Sequence, residues 1–319
     1  MKMEYSQLGS TDMLISRISF GCMSLVPEGS NHEYILHEAV AGGINFFDTA
    51  DLYNKGENEV LVGKALKGKR DQVFIASKVG NKWRSGGTGW DWDPSKKYII
   101  GAVEESLVRL ATDHIDLYQL HGGTMEDPID ETIEAFELLK AQGKIRYYGI
   151  SSIRPNVIRR WVEKSGLSSV MMQYSLLDQR PAEECLPLLR KQGIGVLTRG
   201  GLAQGLLVGK PGRPYLNRSE EDVRKAMEAL TALVIEERSK PSMALQAGDT
   251  SHPLASNERS KAILALQYVL HHPAVTSAVV GVRTMEQLQD ILAVAVHLSD
   301  LEYQQLAAAV PPNFYQEHR

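Results

Sequence analysis

The feature that most constrains this chain is an alternation of two patterns, repeated eight times. Short apolar-rich runs stand at residues 17–21, 44–47, 73–77, 115–120, 146–150, 169–172, 195–198 and 276–280. Between and after them lie segments of helical period, at 31–42, 57–66, 95–110, 129–142, 157–164, 182–191, 220–238, 261–270 and 284–296. A strand followed by a helix, over and over, requires parallel strands, because each crossover returns the chain to the same end of the sheet. Right-handed crossovers put every helix outside and leave the strands to bury one another, so the expected architecture is a closed (β/α)8 TIM barrel. A turn signal, Gly9-Ser10-Thr11-Asp12, adds a short N-terminal β-hairpin. The competing architecture, a doubly wound sheet with a dinucleotide site, needs a Gly-x-Gly-x-x-Gly turn after an early strand, and none is present. The reading is one barrel domain over residues 1–319, with a polar excursion at 239–260 and a tail at 311–319 whose order is left open.

Composition narrows the partners. With 43% hydrophobic and 23% charged residues and a formal net charge of -4, the chain has no basic surplus for nucleic acid. No apolar run reaches membrane-spanning length, and the first ten residues lack an apolar signal core, so a cytoplasmic protein is expected. Cys22 and Cys185 have no second cysteine or histidine at ligand spacing. Neither a disulfide nor a metal site is expected, and both are read as packing residues, with Cys22 close enough to a strand end to line a pocket.

In a barrel, whatever follows each strand faces one common mouth. Those residues are Asp48 and Tyr53, Lys78, His121, Ser151, Gln173, Thr198 and Arg199, and Gly281 with Arg283. Taken singly, each has a plainer role: Asp48 as a helix cap, Tyr53 as a packing residue, Lys78 as a solvated cation, His121 as a strand end. Taken together they are coherent chemistry. An ammonium beside a phenol stabilises the phenolate and draws its pKa down from about 10. A carboxylate keeps that ammonium charged, and a neutral imidazole donates a hydrogen bond to a carbonyl oxygen. The set describes a proton donor for an oxygen that becomes an alkoxide.

Over residues 5–310 the chain resembles the aldo-keto reductases, especially a bacterial subgroup carrying Leu-His-Gly-Gly and Gly-Ile-Ser-Ser. The motif Asp-Thr-Ala-x-x-Tyr stands at 48–53, the strand-ending lysine at Ala76-Ser77-Lys78, and the histidine closes Asp116-Leu117-Tyr118-Gln119-Leu120-His121. The resemblance implies Tyr53 as general acid, Asp48 and Lys78 as its tuning pair, and His121 as the group that orients a substrate carbonyl. It also implies NADPH, bound extended across the mouth without a Rossmann fold. Ser151, Ser152 and Gln173 match positions that hold the nicotinamide carboxamide, with Ser152 replacing a common asparagine. The stretch Gly200-Gly201-Leu202-Ala203-Gln204-Gly205-Leu206-Leu207 resembles the segment that folds over the pyrophosphate, whose glycines let backbone N–H groups approach oxygens, and Thr198, Arg199 and Lys210 are further expected cofactor-binding residues. Gly281, Arg283 and Gln287 match the adenosine-phosphate site, where a helix N-terminus and a guanidinium suit a 2′-phosphate and favour NADP over NAD, and Asp290 stands there where relatives often have Glu. Ile291 stands where many relatives have an adenine-contacting asparagine.

Met23, Trp83 and Trp90 are the expected substrate-pocket residues, although Trp83 and Trp90 serve equally well as anchors of the glycine-rich loop 81–93; Trp92, near Pro94, is read as an anchor. The expected activity is NADPH-dependent reduction of an aldehyde or ketone to an alcohol, with a small carbonyl compound as partner and no protein partner marked in the sequence. Two other classes stay open. One is a cofactor-binding regulatory subunit with little turnover; the other is an aldolase forming a Schiff base on Lys78, which a neighbouring Asp48 disfavours by keeping the amine protonated.

Overall fold

A computed structural model of the chain describes residues 3–26, 31–239, 259–294 and 297–319. The hairpin comes first, as β1 (Tyr5–Gln7) paired antiparallel with β2 (Leu14–Ser16). The chain then alternates through β3 (Ile18–Gly21), α1 (His32–Ala41), β4 (Phe46–Asp48), α2 (Glu57–Leu66) and β5 (Phe74–Val79). Next come β6 (Asn81–Trp83), β7 (Trp90–Trp92), α3 (Lys96–Leu110), β8 (Ile115–Leu120), α4 (Ile129–Ala141), β9 (Ile145–Ser151) and α5 (Pro155–Lys164). The last part carries β10 (Ser169–Gln173), α6 (Cys185–Lys191), β11 (Gly195–Arg199), α7 (Glu220–Ser239), α8 (Lys261–His271), β12 (Val275–Gly281), α9 (Met285–Leu292) and α10 (Asp300–Ala309). Eight of the strands close in the order β10-β11-β12-β3-β4-β5-β8-β9, all parallel. This is the expected (β/α)8 barrel with its N-terminal hairpin.

Local chemistry sets the helix starts. Ser95, Ser260 and Thr284 each accept a hydrogen bond from a first-turn backbone N–H, and Ser299 with Glu302 forms a reciprocal capping box at α10. Pro155 opens α5, where its missing N–H and fixed φ fit the first turn.

Strand alternation then sorts side chains into two cores. Outward residues meet the helices, whereas Phe46, Ala76, Leu117, Met171, Leu197 and Val279 fill the barrel's interior together with Leu8, Met13 and Ile15 from the hairpin. The hairpin is thus a plug at the amino ends of the strands. Gly9 lets it seat there: its φ is +56°, and a Cβ would fall 2.7 Å from Gly195 N and 2.8 Å from Ser168 O. With one end closed by apolar packing, polar inward residues collect at the other.

Two features differ from the sequence expectation, and a third answers a question the sequence left open. The loop after β5 contains an antiparallel ribbon, with Trp83 opposite Trp90. An additional helix, α10, follows α9, which ends at Leu292, while the expected helix ran on to residues outside those described. The tail is ordered on the mouth side of the rim: Tyr315 is buried, its N–H donates to Glu183, and His318 O accepts from Asn156 N at the start of α5. Most of the 239–260 excursion lies outside the described residues. Among the described residues, no helix is long and apolar enough to cross a membrane.

Candidate active site

Two neighbouring strands carry the centre of the site. Asp48 is the last residue of β4, and Lys78 lies on β5, whose register places Ala76 beside Asp48. Residues two apart on a strand share a face, so Lys78 points inward one step above Ala76, a barrel-interior residue. Its ammonium donates to Asp48 Oδ2 at 2.7 Å, to the carbonyl oxygen of Thr49 at 2.7 Å and to Tyr53 Oη at 3.2 Å. All three donor positions are used. Tyr53 is delivered by a 3₁₀ turn after β4, and the His121 ring stands 5.8 Å from it, edge to face. The four sequence-predicted residues therefore converge.

Burial shapes their proton affinities. Lys78 is 1% exposed, which works against its charge, yet Asp48 and Tyr53 outweigh that and hold its pKa above the ordinary lysine value. Burial likewise pushes the Asp48 carboxyl up, with Lys78 pulling the other way. For Tyr53 the structure corrects the expected direction. Desolvation raises the phenol and Asp48 adds to the rise, so the lowering by Lys78 does not prevail and the net pKa lies above the ordinary value. The phenol holds its proton firmly. His121 is pushed down to about 3 by burial and by the cations Lys78 and Arg199, so its imidazole is neutral at physiological pH.

Around this centre the strand ends supply Ser151, Gln173, Arg199 and Gly281 as the last residues of β9, β10, β11 and β12. Gln173 accepts from Arg199 Nη1 at 3.1 Å and donates at 3.1 Å to Oη of the loop residue Tyr215. Thr198 is different. Leu197 faces the barrel interior, so Thr198 turns into the wall, where it is 1% exposed and gives its hydroxyl to Ser277 O. Ser152 is also buried, with its hydroxyl accepting from Arg154 N.

The segment after β11 is a glycine-containing turn. Gly200 and Gly205 have φ of +74° and +90°; Leu202 O caps the turn by accepting from Gly205 N, and Gln204 accepts from Arg213. Gly201 packs on Leu266, and Lys210 folds back over Gly205. At α9, Arg283 N donates to Gln287 Oε1 and Thr284 caps the helix. Among the described residues, neither Arg283 nor Lys210 has an ion-pair partner within 4.0 Å. Exposed cations beside a glycine turn and a helix N-terminus fit a polyanionic cofactor. Asp290 is exposed further along α9, away from that terminus.

In the mouth's rim, Met23 is 64% and Trp90 47% exposed, and Trp83 Nε1 donates to Leu52 O beside Tyr53. Trp92 is an anchor, as read from the sequence: its indole donates to Asp127 Oδ1 at 2.8 Å and fills the space over Gly80 and Gly122. Cys22 does not line the pocket. It is fully buried, and burial raises its thiol pKa.

Residues 17–311 match the Aldo/keto reductase family. The chain belongs to the aldo/keto reductases. It is 47% identical over 319 residues to the uncharacterized oxidoreductase YqkF of Bacillus subtilis, a match spanning 99% of this chain and 100% of that protein. Among solved structures it is similar to the holo form of aldo-keto reductase AKR11C1 from Bacillus halodurans, at 46% identity and a TM-score of 0.87, with 99% of each chain covered. It is also similar to the glycerol dehydrogenase AKR11B4 from Gluconobacter oxydans, at 26% identity and a TM-score of 0.81, covering 99% of this chain and 100% of that one.

Two side chains of this aldo/keto reductase escaped the sequence reading. Gln119 is fully buried on β8, in register with Lys78, and lies close enough to Asp48 to stabilise its charge. The signal was available, since it sits two residues before His121 on the same face of the strand. Tyr215, which holds Gln173, lies in an irregular loop with no period to reveal it.

Proposed function

We propose that this aldo/keto reductase reduces aldehydes or ketones to alcohols with NADPH, and that Tyr53 is the proton donor. The observation that carries the reading is the Tyr53 hydroxyl 3.2 Å from a lysine ammonium that is itself held by Asp48 and Thr49. NADPH, when bound, supplies the hydride. Everything else is the work of the protein.

A carbonyl oxygen that gains negative charge needs a donor already carrying its proton, and the raised pKa of Tyr53 keeps it in that form at neutral pH. As the phenol gives up its proton, the adjacent ammonium stabilises the phenolate left behind, and Asp48 keeps that ammonium oriented. His121, neutral and edge-on to Tyr53, is the second hydrogen-bonding group for the substrate oxygen. Arg199 and Gln173 would hold the nicotinamide end, with Ser151 and Ser152 beside them. Gly200, Gly201, Leu202, Gln204, Gly205 and Lys210 would line the pyrophosphate. Arg283 and the amides at the start of α9 would hold a 2′-phosphate. A Schiff-base role for Lys78 requires a free amine, and its raised pKa opposes that.

The test is turnover of small dicarbonyls and aromatic aldehydes with NADPH and NADH side by side. Reduction preferring NADPH supports the reading; tight NADPH binding with no turnover of any carbonyl would replace it with the regulatory class.

A further inference from the structure

Behind the barrel wall, where α2 and α3 pack on β5, lies a buried charge pair that the proposed chemistry does not use. Glu59 sits in the first turn of α2 with no exposure, and Arg109 reaches it from α3 with Nε donating to Glu59 Oε2 at 2.7 Å. A buried carboxylate needs all its acceptor capacity met. The second oxygen of Glu59 is met by the hydroxyl of Ser77, the residue that precedes Lys78 on β5 and, by strand alternation, faces outward. The same Arg109 is pressed against the turn that carries Tyr53. Gly56, which ends that turn, has φ of +88°, and a Cβ there would lie 2.7 Å from Arg109 Cδ and from Arg109 Nε. Ser106 fixes the guanidinium further, accepting from Nη2 at 3.1 Å.

One carboxylate is therefore tied to both halves of the Lys78–Tyr53 contact, through Ser77 to the strand of Lys78 and through Arg109 and Gly56 to the turn of Tyr53. The turn needs such a hold. Asn54 and Lys55 both lie in the left-handed region, at φ of 49° and 56°, conformations that non-glycine residues keep only when their surroundings impose them. We infer that Arg109 and Glu59 are positioning residues that set the spacing of Tyr53 from Lys78 from outside the barrel. The inference rests on the reading of Tyr53 as proton donor.

The experiment compares wild type, Arg109→Met, Arg109→Lys and Ser77→Ala for kcat, KM, NADPH affinity and the pH profile of kcat in the alcohol-oxidising direction. Misplacement of a reacting group by about 1 Å costs on the order of 100-fold. Arg109→Met should lower kcat at least tenfold per NADPH-binding site, with NADPH affinity within about twofold of wild type. Its pH profile should move to higher pH, because a phenol farther from the ammonium ionises later. Arg109→Lys should recover part of the rate, and Ser77→Ala should show a smaller loss with the same shift of profile. Should Arg109→Met not fold, Ser77→Ala decides alone. A kcat within twofold of wild type and an unmoved profile, or a loss that tracks only the fraction of folded protein, overturns the inference. A wild type without reductase turnover would instead remove the proposed function on which it rests.

Discussion

Replacing Lys78 by methionine keeps the length of the side chain and removes its charge. Lys78 and Asp48 are 1% and 4% exposed and lie 2.7 Å apart, so the variant leaves a carboxylate buried with its main counter-charge gone. Asp48 Oδ1 has no hydrogen-bond partner among the described residues, and without Lys78 only the more distant Arg199 cation and the Gln119 amide favour its charge. Breaking a buried pair from one side costs roughly 3–5 kcal/mol, whereas removing both charges is close to neutral. For a chain of 319 residues each kcal/mol is worth roughly 1.5 °C, so Lys78→Met should melt about 4–8 °C below wild type. The double variant Asp48→Asn with Lys78→Met should recover most of that difference. The pH dependence fixes the cause. Without the lysine, burial pushes Asp48 higher still, and an acid whose folded pKa is raised loses stability as pH climbs above its unfolded value of about 3.9. The gap between Lys78→Met and wild type should therefore widen from about pH 4 to pH 7. Thermal and urea unfolding across that range measure it. A single variant as stable as wild type at pH 7, or a double variant no better than the single, would refute the claim that Lys78 neutralises a buried charge.

Two further outcomes follow from the same geometry. Burial, with the cations Lys78 and Arg199, pushes His121 down to about 3 from the ordinary imidazole value of about 6.5, so the folded state binds fewer protons than the unfolded one between those values. Stability should fall as pH drops through that window, and His121→Asn should show a shallower fall in unfolding free energy; equal slopes would contradict the burial of a neutral imidazole. Arg283→Ala should weaken NADPH by about 10- to 150-fold, the worth of a hydrogen bond to a charged group, and leave NADH nearly unchanged. Equal effects on both cofactors would show that Arg283 does not read the 2′-phosphate.

Much of this protein was legible because its barrel obeys simple periods. The runs ending near Asp48, Lys78, Leu120 and Gln173 are apolar and bounded by polar or glycine residues, so their strands and their mouth-facing ends could be read together. Thr198 shows the limit of reading ends alone: the same alternation that turns Arg199 toward the mouth turns Thr198 into the wall. The ribbon of β6 and β7 has only three residues per strand, too few for a period to register. In α10 only Leu306 is buried, so no apolar stripe announced the helix, and its capping box at Ser299 was the readable sign. The tail's order comes from contacts with Glu183 and Asn156, more than a hundred residues away, which local sequence does not encode. The direction of the Tyr53 pKa was missed for a related reason. Sequence placed the lysine beside the phenol but carried no measure of how much water both had lost.

The central claim is that Tyr53 gives the proton. Single-turnover reduction by wild type and Tyr53→Phe, each saturated with NADPH, tests it directly. Loss of a general acid is worth roughly 100- to 10,000-fold, so the phenylalanine variant should bind NADPH normally and transfer hydride slower by at least two orders of magnitude. Turnover within tenfold of wild type in that variant would contradict the account.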